Sequence, residues 1–224
     1  MKYIEVENNV NIAIEDINPC GRETVLFIHG WPLSGKIFEY QYDILPKYNI
    51  RCIYVDLRGF GNSDCTWDGY DYTSLASDIY KVMKNISVKS LTLAGFSMGG
   101  AIAVRYMALY KGYKVKKLAL LGAATPAFTQ KPFFPYGMTK EQVDTLIAQA
   151  YHNRPKMTAE FGKMLFASDP SQQLQDWFKL ITWKACGIAT IKTLKSLRDE
   201  ELKPDLNKIE VPTGIFHGKL DKVC

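Results

Sequence analysis

The rhythm of apolar positions changes twice along the chain. Residues 2–8 (KYIEVEN) and 11–17 (NIAIEDI) alternate apolar and polar side chains, the period-two pattern of strands with one solvated face. TVLFIHG (24–30), RCIYVDL (51–57), SLTLAGF (90–96) and VKKLALLGAA (115–124) are apolar runs that suit strands buried on both faces. Helical segments are expected between them, at residues 36–47, from a Thr73 cap to about Ile86, and from the start of SMGGAIAVRYMALYKG to a stop at Gly112. Leu75, Ile79, Val82 and Met83 fall on one face of the second segment. Strands alternating with helices predict an α/β fold with a mostly parallel central sheet, antiparallel at its start, and helices on both faces.

From about Thr125 to Pro204 the strand pattern disappears. Residues 141–152, 157–167, 171–185 and 187–201 read as short helices separated by Pro, Asp-Pro or Gly signals. The expected organisation is therefore a core at 1–124, a helical cap at 125–204 and a return to the core at 205–224, where TGIFHG (213–218) is again strand-like. The cap carries many aromatic and methionine side chains. Most are expected to form its own core, and a few to line an apolar pocket over a site below.

Composition narrows this picture only a little. At 224 residues with 47% hydrophobic and 23% charged residues, the chain has the make-up of one globular unit with an insertion. The net charge of +5 comes from scattered Lys and Arg with acidic neighbours, so neither nucleic acid nor a membrane surface is an expected partner. MKYIEVENNV lacks the apolar stretch of a secretory signal, and no run is long enough to span a bilayer. Cys20, Cys52, Cys65, Cys186 and Cys224 form no CxxC and no metal-ligand spacing. They are expected to be free thiols in a reducing, cytoplasmic compartment.

Three motifs carry chemistry. Gly95-Phe96-Ser97-Met98-Gly99 follows a strand and opens a helix, the context of a nucleophile elbow. Small residues two positions either side of Ser97 allow a turn tight enough to push its hydroxyl above the sheet. The helix N-terminus beneath favours developing negative charge. His29-Gly30-Trp31-Pro32 follows another buried strand. A serine nucleophile needs two backbone N–H donors for its oxyanion, and the expected pair is Met98 and Trp31. His29 lies in the turn before that donor and is expected to be structural. The third motif, His217-Gly218-Lys219-Leu220-Asp221, lies past a late strand, where a carboxylate suits the orienting acid of a Ser, Asp, His order.

HGWPLSG, DLRGFGNSD, YDYTSLASD and GFSMGG together resemble the α/β-hydrolase superfamily, within it the cofactor-free (non-haem) haloperoxidase and aryl-esterase group. The resemblance implies Ser97 as nucleophile, Asp221 as triad acid, and Trp31 and Met98 as oxyanion hole. Asp56, Arg58, Gly59 and Gly61 match a loop that is usually structural. The implied activity is hydrolysis of small carboxylic esters through an acyl-serine, with hydrogen peroxide able to replace water and yield a peracid. No metal, haem or nucleotide cofactor is implied.

The resemblance also implies one further strand, a histidine-bearing loop and a closing helix after Asp221, whereas this sequence ends at Cys224. The last strand and helix are therefore expected to be missing. Of the three histidines, His29 and His217 lie in the motifs above and His152 lies in the cap, with nothing to place it beside Ser97. The expected explanations are a C-terminal piece held as a separate polypeptide, a truncation, or a short inactive paralogue. TGIFHG would then be an unpaired apolar edge, and a homo-oligomer is a further expected partner state. Two alternatives stay open: hydrolysis of a C–C, lactone or thioester bond, and a non-catalytic ligand-binding protein.

Overall fold

The computed structural model describes residues 1–224. Its sheet has seven strands: β1 (Lys2–Glu7), β2 (Val10–Ile17), β3 (Glu23–Ile28), β4 (Ile50–Val55), β5 (Leu91–Phe96), β6 (Val115–Leu121) and β7 (Thr213–Phe216), in the order β1-β2-β4-β3-β5-β6-β7. β2 runs antiparallel to β1 and to β4, and every pair from β4 to β7 is parallel. The expected architecture is thus present, including its antiparallel start. Leu26, Ile28, Ile53, Val55, Leu91 and Leu93 are fully buried, which explains why the middle strands read as apolar runs.

Helices α2 (Tyr72–Asn85) and α3 (Met98–Tyr110) pack side by side. Leu75, Ile79, Val82 and Met83 do form the buried stripe of α2. Its cap is Asp71 rather than Thr73, two residues earlier than expected: the Asp71 carboxylate accepts from Ser74 N–H at 2.9 Å. Carboxylate and hydroxyl are both good caps, and the extended backbone at Asp71 decides between them. α3 ends as expected, with Lys111 left-handed and Gly112 at φ 60°.

The single helix expected at 36–47 is instead three fragments. A 3-10 turn (Gly35–Phe38), α1 (Glu39–Tyr42) and a second 3-10 turn (Leu45–Tyr48) follow one another. Pro46 opens the last turn and left-handed Asn49 closes it, feeding the chain into β4. Between β6 and β7 the chain is helical, with α4 (Lys140–Met164), α5 (Gln172–Trp183), α6 (Gly187–Asp199) and the short α7 (Lys203–Leu206). The two helices expected at 141–152 and 157–167 are one bent element. Asn153 (φ −154°, ψ 73°) and Pro155 make the kink, since proline lacks the N–H that would continue the ladder.

β7 is an edge with no strand beyond it. Ile215 is 73% exposed and Phe216 62% exposed, so the apolar edge expected from TGIFHG is present.

Candidate functional site

Ser97 joins β5 to α3 with φ 52° and ψ −119°, a conformation that L side chains rarely adopt. Its surroundings fix it there. Ser97 N–H donates to the Leu121 carbonyl at 3.0 Å, and the Ser97 carbonyl accepts from Gly100 N–H at 2.8 Å and Ala124 N–H at 3.0 Å. The glycines of the motif are sterically required. A Cβ on Gly95 would lie 2.4 Å from the Gly99 carbonyl oxygen, and one on Gly99 only 2.2 Å from the Ile28 carbonyl oxygen.

The loop after β3 lies against this turn, since a Cβ on Gly30 would sit 2.9 Å from Ser97 Cβ. Trp31 is buried, and neither its backbone N–H nor that of Met98 donates to a backbone or side-chain acceptor. His29 is structural, as expected. Its Nε2 accepts from Leu57 N–H at 2.9 Å, which requires the other nitrogen, Nδ1, to carry the proton it gives the Gly30 carbonyl at 2.8 Å. Burial holds its pKa below the ordinary imidazole value, against the opposing pull of the Gly30 carbonyl and Asp56. His29 is therefore a neutral strut between the loops after β3 and β4.

Asp221 lies in the loop after β7. Its Oδ1 accepts from Val223 N–H at 2.8 Å and Cys224 N–H at 3.1 Å, and its Oδ2 is 3.4 Å from His217 Nε2. Ser97 and Asp221 line one cavity of about 360 Å³, together with Phe96, Met164, Phe166 and Cys224. Met164, at the end of α4, and Leu165, Phe166 and Ala167 just after it are the helical-segment residues that line this space. Phe128, Phe161 and Phe178 are instead core, whereas Tyr136 and Trp183 face solvent.

Ser97 Oγ makes one side-chain contact, with Cys224 Sγ at 3.7 Å. Burial pushes the Cys224 thiol up to about 12, so at neutral pH it is uncharged and takes no proton from serine. His29 is spent on Leu57 and Gly30, and His217 faces Asp221 and the Cys224 carbonyl. No histidine bonds Ser97. Sequence reasoning missed Cys224, and nothing in its sequence surroundings marked it.

The loop after β4 is structural, as expected. Asp56 Oδ1 accepts from Gly35 N–H at 2.7 Å and its Oδ2 from Asn62 N–H at 2.8 Å, tying two loops together. Arg58 forms a two-pronged ion pair with Asp78 at 2.8 and 2.9 Å and also reaches Glu7. Burial raises the Asp78 pKa, only partly offset by Arg58. One expectation fails here. Cys65 and Cys186 are not free thiols but are joined in a disulfide across a sequence separation of 121, while Cys20, Cys52 and Cys224 are unpaired. Local spacing gave no sign of it, because only the fold brings the loop after β4 to the start of α6.

A family model of the alpha/beta hydrolase fold matches residues 23–223. The chain belongs to the α/β-hydrolase family. The hydrolase is 47% identical over 222 residues to the AB hydrolase superfamily protein YisY of Bacillus subtilis, covering 99% of this chain and 82% of that one. Among solved structures it superimposes on an esterase (EaEST) from Exiguobacterium antarcticum with TM-score 0.96 and 43% identity, covering 100% and 82% of the two chains. It superimposes on a bromoperoxidase from Bacillus anthracis with TM-score 0.90 and 30% identity, covering 97% and 80%. These relatives agree with the haloperoxidase and esterase resemblance carried by the motifs. No helix of the hydrolase is long and apolar enough to cross a membrane.

Proposed function

We propose that the hydrolase cleaves small carboxylic esters through an acyl-serine intermediate, with Ser97 as nucleophile. The observation that carries this reading is the backbone of Ser97, held at φ 52° on a strand-to-helix turn that opens into a cavity shared with Asp221. Ser97 Oγ attacks the ester carbonyl and the alcohol leaves. Trp31 and Met98 N–H groups, free of other acceptors, hold the oxyanion, each worth about 3–4 kcal/mol at the transition state. The N-terminus of α3 adds its dipole. Asp221 is the acid that orients the histidine base the resemblance implies, which takes the Ser97 proton and returns it to the departing alcohol. Met164, Leu165 and Phe166 form an apolar wall for the acyl chain, and the helical segment 125–204 acts as a cap over it. Water then releases the acid. Hydrogen peroxide in its place gives a peracid, which oxidises halide in solution, in keeping with the bromoperoxidase relative.

A fluorophosphonate probe with peptide mapping tests this reading. A covalent adduct on Ser97, abolished in Ser97→Ala, supports the hydrolytic reading. Folded protein that takes up no probe overturns it.

A further inference from the structure

Trp31 is held from the cap side rather than from its own loop. Its indole Nε1–H donates to the Thr190 carbonyl on α6 at 3.0 Å, and its ring meets Phe161 of α4 edge-on at 4.9 Å. Both contacts are buried, so the indole cannot trade them for water without opening the cap. The first turn of α6 is in turn clamped to the loop after β4 by three separate links. Cys186 N–H donates to the Gly59 carbonyl at 2.8 Å. Ala189 packs so closely on Gly59, which has φ 77°, that a Cβ there would lie 2.3 Å from the alanine methyl. The Cys65–Cys186 disulfide closes the same corner. Thr190 follows directly, its N–H and hydroxyl both donating to the Cys186 carbonyl at 3.0 and 2.9 Å.

We propose that the Trp31 indole is a positioning group for the oxyanion hole, held by the Thr190 carbonyl of α6, and that the Cys65–Cys186 bridge fixes that helix to the core. The inference rests on the reading of Trp31 N–H as an oxyanion donor. Backbone and indole belong to one residue, and a transition-state donor tolerates little displacement: misplacement of about 1 Å costs on the order of 10² in rate. Cys65 is exposed at the surface and Cys186 half-buried, so a dithiol can reach the bridge. The exchange is balanced: the dithiol gives two electrons and two protons, the S–S bond becomes two thiols, and the dithiol closes into its own disulfide.

The test uses Trp31→Phe, which keeps an aromatic ring against Phe161 but has no N–H, and Cys65→Ala/Cys186→Ala. Hydrogen–deuterium exchange of residues 29–35 reads loop order without turnover, through bonded amides such as Leu33 and Gly35. Ester turnover and fluorophosphonate labelling read the chemistry. In Trp31→Phe, faster exchange at 29–35 is expected, with about a tenfold fall in kcat or labelling rate and KM within twofold. That is less than the 10²–10³ lost when a donor is removed outright. The double alanine variant should move both readouts the same way, by about threefold. Unchanged exchange at 29–35 in Trp31→Phe overturns the proposal. If that variant fails to fold, unchanged exchange in the double variant overturns it instead. Altered exchange in a protein that never takes up the probe leaves positioning intact and removes the hydrolase reading alone.

Discussion

Gly99→Ala sets helix propensity against packing, and the two predict opposite signs. Gly99 is the second residue of α3, and in an isolated helix interior alanine is about 0.8–1.0 kcal/mol better than glycine. Here a Cβ would lie 2.2 Å from the Ile28 carbonyl oxygen and 2.6 Å from that of His29. Close Cα–H to carbonyl contacts sit at about 3.3–3.6 Å, so helix and strand must part by roughly 1 Å. Both opposing atoms are backbone of a central strand and its outgoing loop, so no side chain can swing aside. Overpacking of this kind costs about 1–3 kcal/mol. A net loss near 2 kcal/mol lowers the Tm of a chain this size by roughly 4–8 °C. The same displacement moves Ser97 relative to the Trp31 loop, so labelling of Ser97 should fall by about 10². Calorimetry and fluorophosphonate kinetics measure the two effects. A Gly99→Ala protein as stable as the parent, labelling at the parent rate, would refute the claim that the elbow is held by backbone contact.

Ser97→Gly should stabilise the fold by about 1 kcal/mol, because glycine occupies φ 52° without strain, while ending probe uptake; an unchanged or lower Tm counts against strain at the elbow. Arg58→Leu leaves Asp78, 2% exposed, without its cation and should cost about 3–5 kcal/mol in urea unfolding; a loss under 1 kcal/mol would show the pair to be dispensable. His29 titrates at 6.5 when unfolded and lower when folded, so as pH falls the unfolded chain takes its proton first. Its contribution is full above that value and drains as pH falls toward the native pKa, so the parent should lose stability between pH 7 and 5 more steeply than His29→Gln; parallel curves would contradict this.

Much of the fold was legible because its signals are local. The β3, β4 and β5 runs are apolar on both faces, and the burial of Ile28, Val55 and Leu93 is why. Ser97 was readable from five residues because a strained turn excludes side chains on both sides. What escaped depends on distant partners or on a single competing residue. The break at 36–47 needed the weight of Pro46 and left-handed Asn49 against an otherwise helical composition. The Cys65–Cys186 bond and the Trp31–Thr190 hydrogen bond join positions more than 100 residues apart, and a sequence read in windows contains neither. The two-pronged Arg58–Asp78 pair is similar: each residue looks like surface charge until α2 is laid beside the loop after β4.

The site also draws on elements of unequal firmness. Ser97 and the Trp31 loop rest on the centre of the sheet, whereas Asp221 follows β7, a strand only four residues long that is tied to β6 and its outgoing loop by links such as Gly122 N–H to the Phe216 carbonyl at 2.8 Å. Short segments with few pairing bonds open locally at free energies below that of the whole domain. Mild urea should therefore uncouple the acid from the serine while the tryptophan fluorescence of the body is still native. Inactivation would then precede unfolding along the denaturant axis, and the shortest strand, rather than the core, would define the working range of the protein.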